Sequence, residues 1–376
     1  MTTILRWDLD LKVKQLLSGI FLSLLFISFV IPSIQAVATR QTAMLDYIEQ
    51  CKVGPGFGNT PAATVPTLES TFQALYILNA YSHLSEINEH ALISWVNSCR
   101  NADHGYGNTN HTAVVSDITS TYYATWILDL FDRSLDNRTD EWVAACQNKS
   151  SSFGEKINGT AILSATYYGL ETLYLNSTNL KAYNVSTWIL ERQNTILSSL
   201  GYGGFATDRN SSNMGATWAA IGAVKRLNSS GYLLEPLISW INRSQNTVSY
   251  DDNFGAFSSK TTEIDWSLLN TYGAIYSLLT LGASYLARIN LEATLDWLIT
   301  LQNTDGGFRV NSFTGSSSLS ATYCAFRTLE LVNQEPLLSE NVPWESPFEM
   351  PIWAWVLIAL GIGIIAIFII KKFYMD

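Results

Sequence analysis

LQNTDGGF occupies residues 301–308, with Trp297 just upstream and SATY at 320–323. The spelling recurs. SWVNSC, EWVAAC, TWILERQN, SWINRSQN and DWLITLQN hold Trp95, Trp142, Trp188, Trp240 and Trp297, which stand 46–57 residues apart. Tyr47, in DYIEQC, takes the same place 48 residues before Trp95. A glycine and an aromatic follow each time, as PGFG, HGYG, SSFG, YGGF, FGAF and DGGF. Then comes threonine with an aromatic: Thr71-Phe72, Thr121-Tyr122, Thr166-Tyr167, Thr217-Trp218, Thr271-Tyr272 and Thr322-Tyr323. Six copies of one unit run from about residue 45 to residue 332.

Each copy reads as two helices. The first, such as LEATLDWLITLQ, has apolar residues at helical spacing and stops at a polar, Gly-rich loop. The second starts among Ser and Thr, good N-caps, and continues as in TYYATWILDLF. Two such helices cannot bury their apolar faces alone, so neighbours must stack. Six hairpins can close into a ring with the second helices inside, or stack as an open solenoid. No polar capping repeat is present, which favours closure. The fold expected is all-α, an (α/α)6 toroid.

The W…LQN-DGGF…S-x-TY unit resembles the repeats of protein prenyltransferase β subunits and squalene-type terpenoid cyclases. The resemblance covers roughly residues 45–332 and implies their (α/α)6 toroid. Residues present in every copy serve what every copy needs: the Trp, the Gln-Asn and the Gly-aromatic pair are expected to tie the first helix to its loop and to the next unit. A unique site must lie where copies differ.

Two apolar segments bracket the repeats. Residues 1–38 carry Lys12 and Lys14, an apolar run from 16, and Ala36-Val37-Ala38. This is the form of a signal peptide, or of a signal anchor if uncleaved. Residues 352–370 form a 19-residue apolar stretch that as a helix rises about 28 Å, enough to cross a bilayer core. Trp353 and Trp355 flank one end, and Lys371 and Lys372 place the tail 371–376 in the cytoplasm. The expected order is signal (1–38), toroid (39–332), stalk (333–351) and transmembrane helix (352–370). The bulk then faces outward from a single-pass anchor in the cell membrane. Nine Asn-x-Ser/Thr sequons suit an outer location and a glycoprotein. The sequons, few cysteines and Lys-Lys tail suit an archaeal envelope. A net charge of −10 argues against nucleic acid.

The chemistry of the resembled enzymes does not carry over residue by residue. The resemblance implies zinc ligands at positions held here by Ser267, Leu269 and Ala321, none of which can serve. Basic residues that would hold a prenyl diphosphate fall on Asn213, Thr261, Ile264 and Asn270, with only Lys260 near. The Asp-x-Asp-Asp acid of cyclases and the Cys-Gly-Glu-Gln thioester motif are absent. No cofactor is implied. His104 and His111 share a loop with Asp103 and Asp117, which admits a two-His, one-carboxylate metal site. Cys51, Cys99 and Cys146 share one repeat position. Equivalent atoms of packed hairpins stand about 8–10 Å apart, too far for disulfides.

Binding is expected at the mouth of the ring, on the longer loops of units four and five. Asp251, Asp252, Lys260, Glu263, Asp265 and Trp266 are the candidates, in a dense run of charge within a charge-poor chain. Tyr123, Trp126, Tyr168, Tyr276 and Phe326 add aromatics to the second helices. They either fill the barrel or line a cavity for an apolar ligand. Two functions follow: a surface binding module for an apolar ligand or partner protein, without zinc chemistry, or a divergent prenyltransferase- or cyclase-type enzyme.

Overall fold

Polar side chains start the helices that the repeat predicts. Thr67, Asp117, Asn213, Ser267 and Ser318 each cap a second helix by accepting a backbone N–H three residues on. Thr39, Asn88 and Asn290 cap first helices in the same way, and Asp136 caps one by accepting the N–H two residues on. The structure, a computed structural model, describes residues 38–111, 113–208 and 211–344. The expected anchor at 352–370 and the signal segment up to residue 37 lie outside the described residues. Among the described residues no helix is long and apolar enough to cross a membrane.

Twelve α-helices form six antiparallel hairpins among the described residues. The first helices are α1 (Arg40–Gln50), α3 (Glu89–Ser98), α5 (Asn137–Ala145), α7 (Ser186–Leu190), α9 (Leu234–Arg243) and α11 (Leu291–Thr300). The second helices are α2 (Leu68–Ala80), α4 (Ile118–Leu130), α6 (Leu163–Leu175), α8 (Met214–Arg226), α10 (Leu268–Leu281) and α12 (Leu319–Leu331). The second helices pack in the order α2, α4, α6, α8, α10, α12 and back to α2, which closes the ring. They are inside, as their composition requires: α4 is buried on most of its surface, whereas α3 buries a single stripe of Leu92, Trp95 and Val96.

Each repeated residue has a physical task. The threonine accepts the backbone N–H of the loop aromatic at 3.0–3.2 Å in all six copies, from Phe57→Thr71 to Phe308→Thr322. A short antiparallel bridge holds the aromatic against the end of the first helix, as in Gln302 with Phe308. The glutamine then reaches the next hairpin. Gln147, Gln193 and Gln245 donate to the carbonyls of Tyr183, Leu233 and Asn290 at 2.7–3.0 Å. Gln302 donates to Arg40 at 2.8 Å, joining hairpin six to hairpin one. The glycines let the next Trp approach: a Cβ on Gly105 or Gly204 would stand 2.6–2.8 Å from Trp142 or Trp240, and one on Gly307 would strike Tyr47.

The ring unit extends from Thr39 to Glu340, beyond the expected boundary at 332. Residues 335–339 form a 3-10 turn that buries Leu338 and packs on α1 and α12, so the first part of the expected stalk belongs to the ring. All four cysteines are buried and unbridged. Burial pushes the thiols of Cys99, Cys146 and Cys324 up to about 12, which keeps them unreactive.

Candidate functional site

The N-terminal ends of the inner helices and the loops leading to them form one face, the mouth. The six expected binding residues lie there but divide into separate groups. Lys260 and Glu263 pair at 2.6 Å, Ser259 Oγ donates to Glu263 at 2.9 Å, and the Ser259 backbone donates to Asp265 at 2.8 Å. This knot is exposed and satisfies itself. Asp251 accepts the backbone N–H of Asn253 at 2.7 Å in a turn. The Asp252 carbonyl accepts from Ser312 of hairpin six at 3.0 Å. Trp266 is half-buried against the core. Exposed pairs of this kind contribute little to stability. Replacing Lys260, Glu263 and Asp265 together with alanine is expected to leave the melting temperature unchanged. A clear drop would show that the knot braces the ring.

His104, His111 and Asp117 do not form a metal site. Asp117 caps α4, accepting from both the backbone and the hydroxyl of Ser120 at 2.7 Å. Asp103 is tied to Ser116 at 2.6 Å and to the Trp142 indole at 3.0 Å. His104 occupies a left-handed turn with φ +74°, and His111 is exposed. Among the described residues no three His, Cys, Asp or Glu side chains are grouped to hold a metal ion. Ser267 is a helix cap, Leu269 is exposed and Ala321 is buried.

Inside the mouth, the aromatic after each threonine turns toward the axis. Phe72, Tyr122, Tyr167 with Tyr168, Trp218, Tyr272 and Tyr323 form an unbroken belt, neighbouring centroids 4.9–6.3 Å apart. Among the described residues no ring contact crosses to an opposite helix. Rings spaced about 6 Å apart in a closed belt of this kind place opposite centroids about 12 Å apart. Tyr122, Trp126, Tyr168, Trp218, Tyr276 and Tyr323 are partly exposed. Burial pushes the hydroxyls of Tyr122, Tyr168 and Tyr323 well above their ordinary range.

Below the belt lie ion pairs. Glu171, one turn beyond Tyr167, holds Arg226 through two bonds of 2.7 and 2.5 Å. Arg327 binds Glu330 and the Tyr76 hydroxyl and lies over the Tyr76 ring. Above the belt, three carboxylates from three hairpins gather at the mouth: Glu69, Asp117 and Glu155. Burial, then the charge of Asp117, raises the carboxyls of Glu69 and Glu155; burial raises that of Asp117. The charge of Glu69 also bears on Tyr123, Tyr168 and Cys324. A carboxyl raised by folding contributes stability when protonated and loses it as pH rises through the folded value. Glu69→Gln should therefore raise the melting temperature at pH 7 and leave it unchanged at pH 4. Equal effects at both pH values would show that the carboxylate is not the cause.

Glu69 and Glu155 were not among the expected residues, although a signal existed. At the position two before the threonine, the other copies carry Thr119, Ser164, Gly215, Leu269 and Ser320. The same face exposes Val65, Val115, Leu200, Ile264 and Phe313. Two surface grooves lie elsewhere, about 240 Å³ beside Lys225 and Tyr232 and about 430 Å³ beside Arg100 and Arg133, and neither touches the expected residues.

The fold recurs in solved structures. Candida albicans protein geranylgeranyltransferase-I, complexed with GGPP, matches with a TM-score of 0.59 at 19% identity, over 73% of this chain and 88% of that one. The type II terpene cyclase MstE from Scytonema matches with a TM-score of 0.54 at 13% identity, over 81% of this chain and all of that one. A point variant of that cyclase, in complex with geranylgeranyl dihydroxybenzoate as substrate, matches at 0.53 and 13%, over 79% and 97%. At these identities the likeness concerns the fold alone. No curated protein matches by sequence. The family profile described as the prenyltransferase alpha-alpha toroid domain matches residues 21–206 and 204–344, and the chain belongs to that family.

Proposed function

We propose that the chain is a membrane-anchored, outward-facing module that binds an apolar ligand in the lumen of its ring. The unbroken aromatic belt carries this reading. Its rings are partly exposed, and a chain threaded along the axis would meet apolar faces on every side. Isoprenoid chains, named as ligands of the geranylgeranyltransferase and of the cyclase variant, are apolar chains of this kind. The exposed apolar side chains around the mouth suit the same traffic. None of the eight described sequon asparagines is buried, as glycan acceptors require. Arg40 and Glu340, at the two ends of the ring unit, are joined by the Arg40 backbone N–H, which donates to the Glu340 carbonyl at 2.8 Å.

A divergent enzyme is the second reading. Glu69 and Asp117, raised by burial at the head of an aromatic lumen, would suit proton donation. Zinc-dependent prenyl transfer is not proposed, because Ser267, Leu269 and Ala321 supply no ligands.

Titration of the full chain with farnesol tests the binding reading. Quenching of tryptophan emission is expected, with affinity falling about ten-fold in Trp218→Ala. Unaltered affinity in that variant would remove the ligand from the lumen. Release of a cyclised hydrocarbon from a polyprenyl substrate would favour the enzyme.

A further inference from the structure

The mouth of this ring has the wrong charge for an anionic ligand. Glu69, Asp117 and Glu155 have no ion-pair partner among the described residues. Helix N-termini at the same face oppose them only in part. Each carries about half a positive charge, so α2 and α4 together offset about one of the three negative charges. Diphosphates and carboxylates are disfavoured there.

A second observation points to a ligand that donates. Gln73 is only 5% exposed, and its Nε2 reaches Glu69 at 3.5 Å. Its Oε1 has no hydrogen-bond partner. The opposite amide orientation would set that oxygen against the Glu69 carboxylate, so the orphaned atom is an acceptor. A buried acceptor left unpaired costs about 1–3 kcal/mol, and here it stands beside unpaired acids. The three acids accept hydrogen bonds from neutral groups only, Ser120, Thr119 and Gln73. What is missing is a cation with N–H donors. The acids are not grouped closely enough for a metal ion, which suits a broader organic cation. Phe72, Tyr122 and Tyr123 pack together in the adjoining belt, and aromatic faces attract such cations.

We infer that the lumen takes an amphiphile with an alkylammonium head, the head held by Glu69, Asp117, Glu155 and Gln73 Oε1 and the apolar tail threaded through the aromatic belt. This rests on the proposed reading of the lumen as an apolar-ligand site and adds the head group. An amphiphile of this kind dissolves in water and can reach the mouth from solution.

Octylammonium, 1-octanol and octyl sulfate share a tail and differ in charge. They are titrated calorimetrically into the full chain in lipid nanodiscs, with empty nanodiscs as the blank. Octylammonium should bind about ten-fold more tightly than octanol, and octyl sulfate more weakly than both. Glu69→Gln with Glu155→Gln should abolish the ammonium preference and leave octanol binding unchanged. Gln73→Met, which alters no charge, should reduce the preference by about three-fold. Equal binding of octylammonium and octanol would overturn the cationic head and leave the lumen reading standing. Binding of no probe above the blank would overturn both. An ammonium preference that survives the variants would place the cation elsewhere and overturn the assignment.

Discussion

Replacing Gly306 with alanine should destabilise the ring by on the order of 4 kcal/mol or more, near the upper end for a single substitution. Two effects combine. Gly306 has φ +89°, a left-handed conformation that costs other residues about 1–2 kcal/mol. The added Cβ would also stand 1.9 Å from the Ala43 carbonyl oxygen and 2.4 Å from its carbon. Ala43 belongs to α1, so this is the seam between hairpins six and one. Backbone cannot yield as a side-chain tip can. Relief requires parting the seam, with loss of the Gln302 bonds to Arg40 and of Tyr47 packing on Gly307. Two other glycines separate the effects. Gly54 has φ +58° with open space beside it, and Gly315 has open space with no left-handed angle. Urea unfolding of the three alanine variants should give a large, a small and no loss, in the order Gly306, Gly54, Gly315. A loss at Gly306 no greater than at Gly54 would mean that the seam is not closely packed.

Arg226→Met should cost about 3 kcal/mol. Glu171 is 7% exposed, and both of its oxygens bond to Arg226. Stripping a buried carboxylate of its partner costs about 3–5 kcal/mol. The lower figure applies because the Arg226 side chain is 30% exposed and water can relieve part of the loss. Arg226 also lies 3.8 Å over the Tyr174 ring, a contact that methionine replaces in part. Glu171→Gln in the same chain should restore much of the stability, since the unpaired charge is then gone. The double-mutant cycle reads this as coupling. If the two single losses simply add, the pair is not holding the lower end of the lumen.

The ring was legible in the sequence because most copies repeat the residues that make its joints. Trp297, Gln302, Gly307 and Thr322 each bond or pack as their equivalents do, so six weak signals reinforce one another. The site was legible only in part. Charge density along the chain drew attention to Lys260, Glu263 and Asp265. Residues close in sequence readily satisfy one another, as the Lys260–Glu263 pair does three residues apart. Glu69, Asp117 and Glu155 lie in three different hairpins and meet only when the ring has formed. Glu69 differs from its equivalents in the other copies and could have been found by that difference alone. Glu155 sits in a loop whose spacing varies between copies, and no alignment on the threonine isolates it. Trp126 and Tyr168 were visible as aromatics, but whether they fill or line the barrel depends on its diameter, which no spacing along the chain encodes.

A closed ring built from one linear chain must contain one joint unlike the rest in the time it takes to form. Five of the six joints unite hairpins about 50 residues apart, and the sixth unites α12 with α2 across about 250 residues. Closure entropy grows with the logarithm of that length, so the last joint carries about 1.4 kcal/mol more than the others. The contacts at Gln302 and Gly306 that stabilise it are no richer than those elsewhere in the ring. An open horseshoe of five joined interfaces is therefore the natural late species on the way to the folded state, with the Tyr47 side of hairpin one and the Gly307 side of hairpin six as its two unsealed edges.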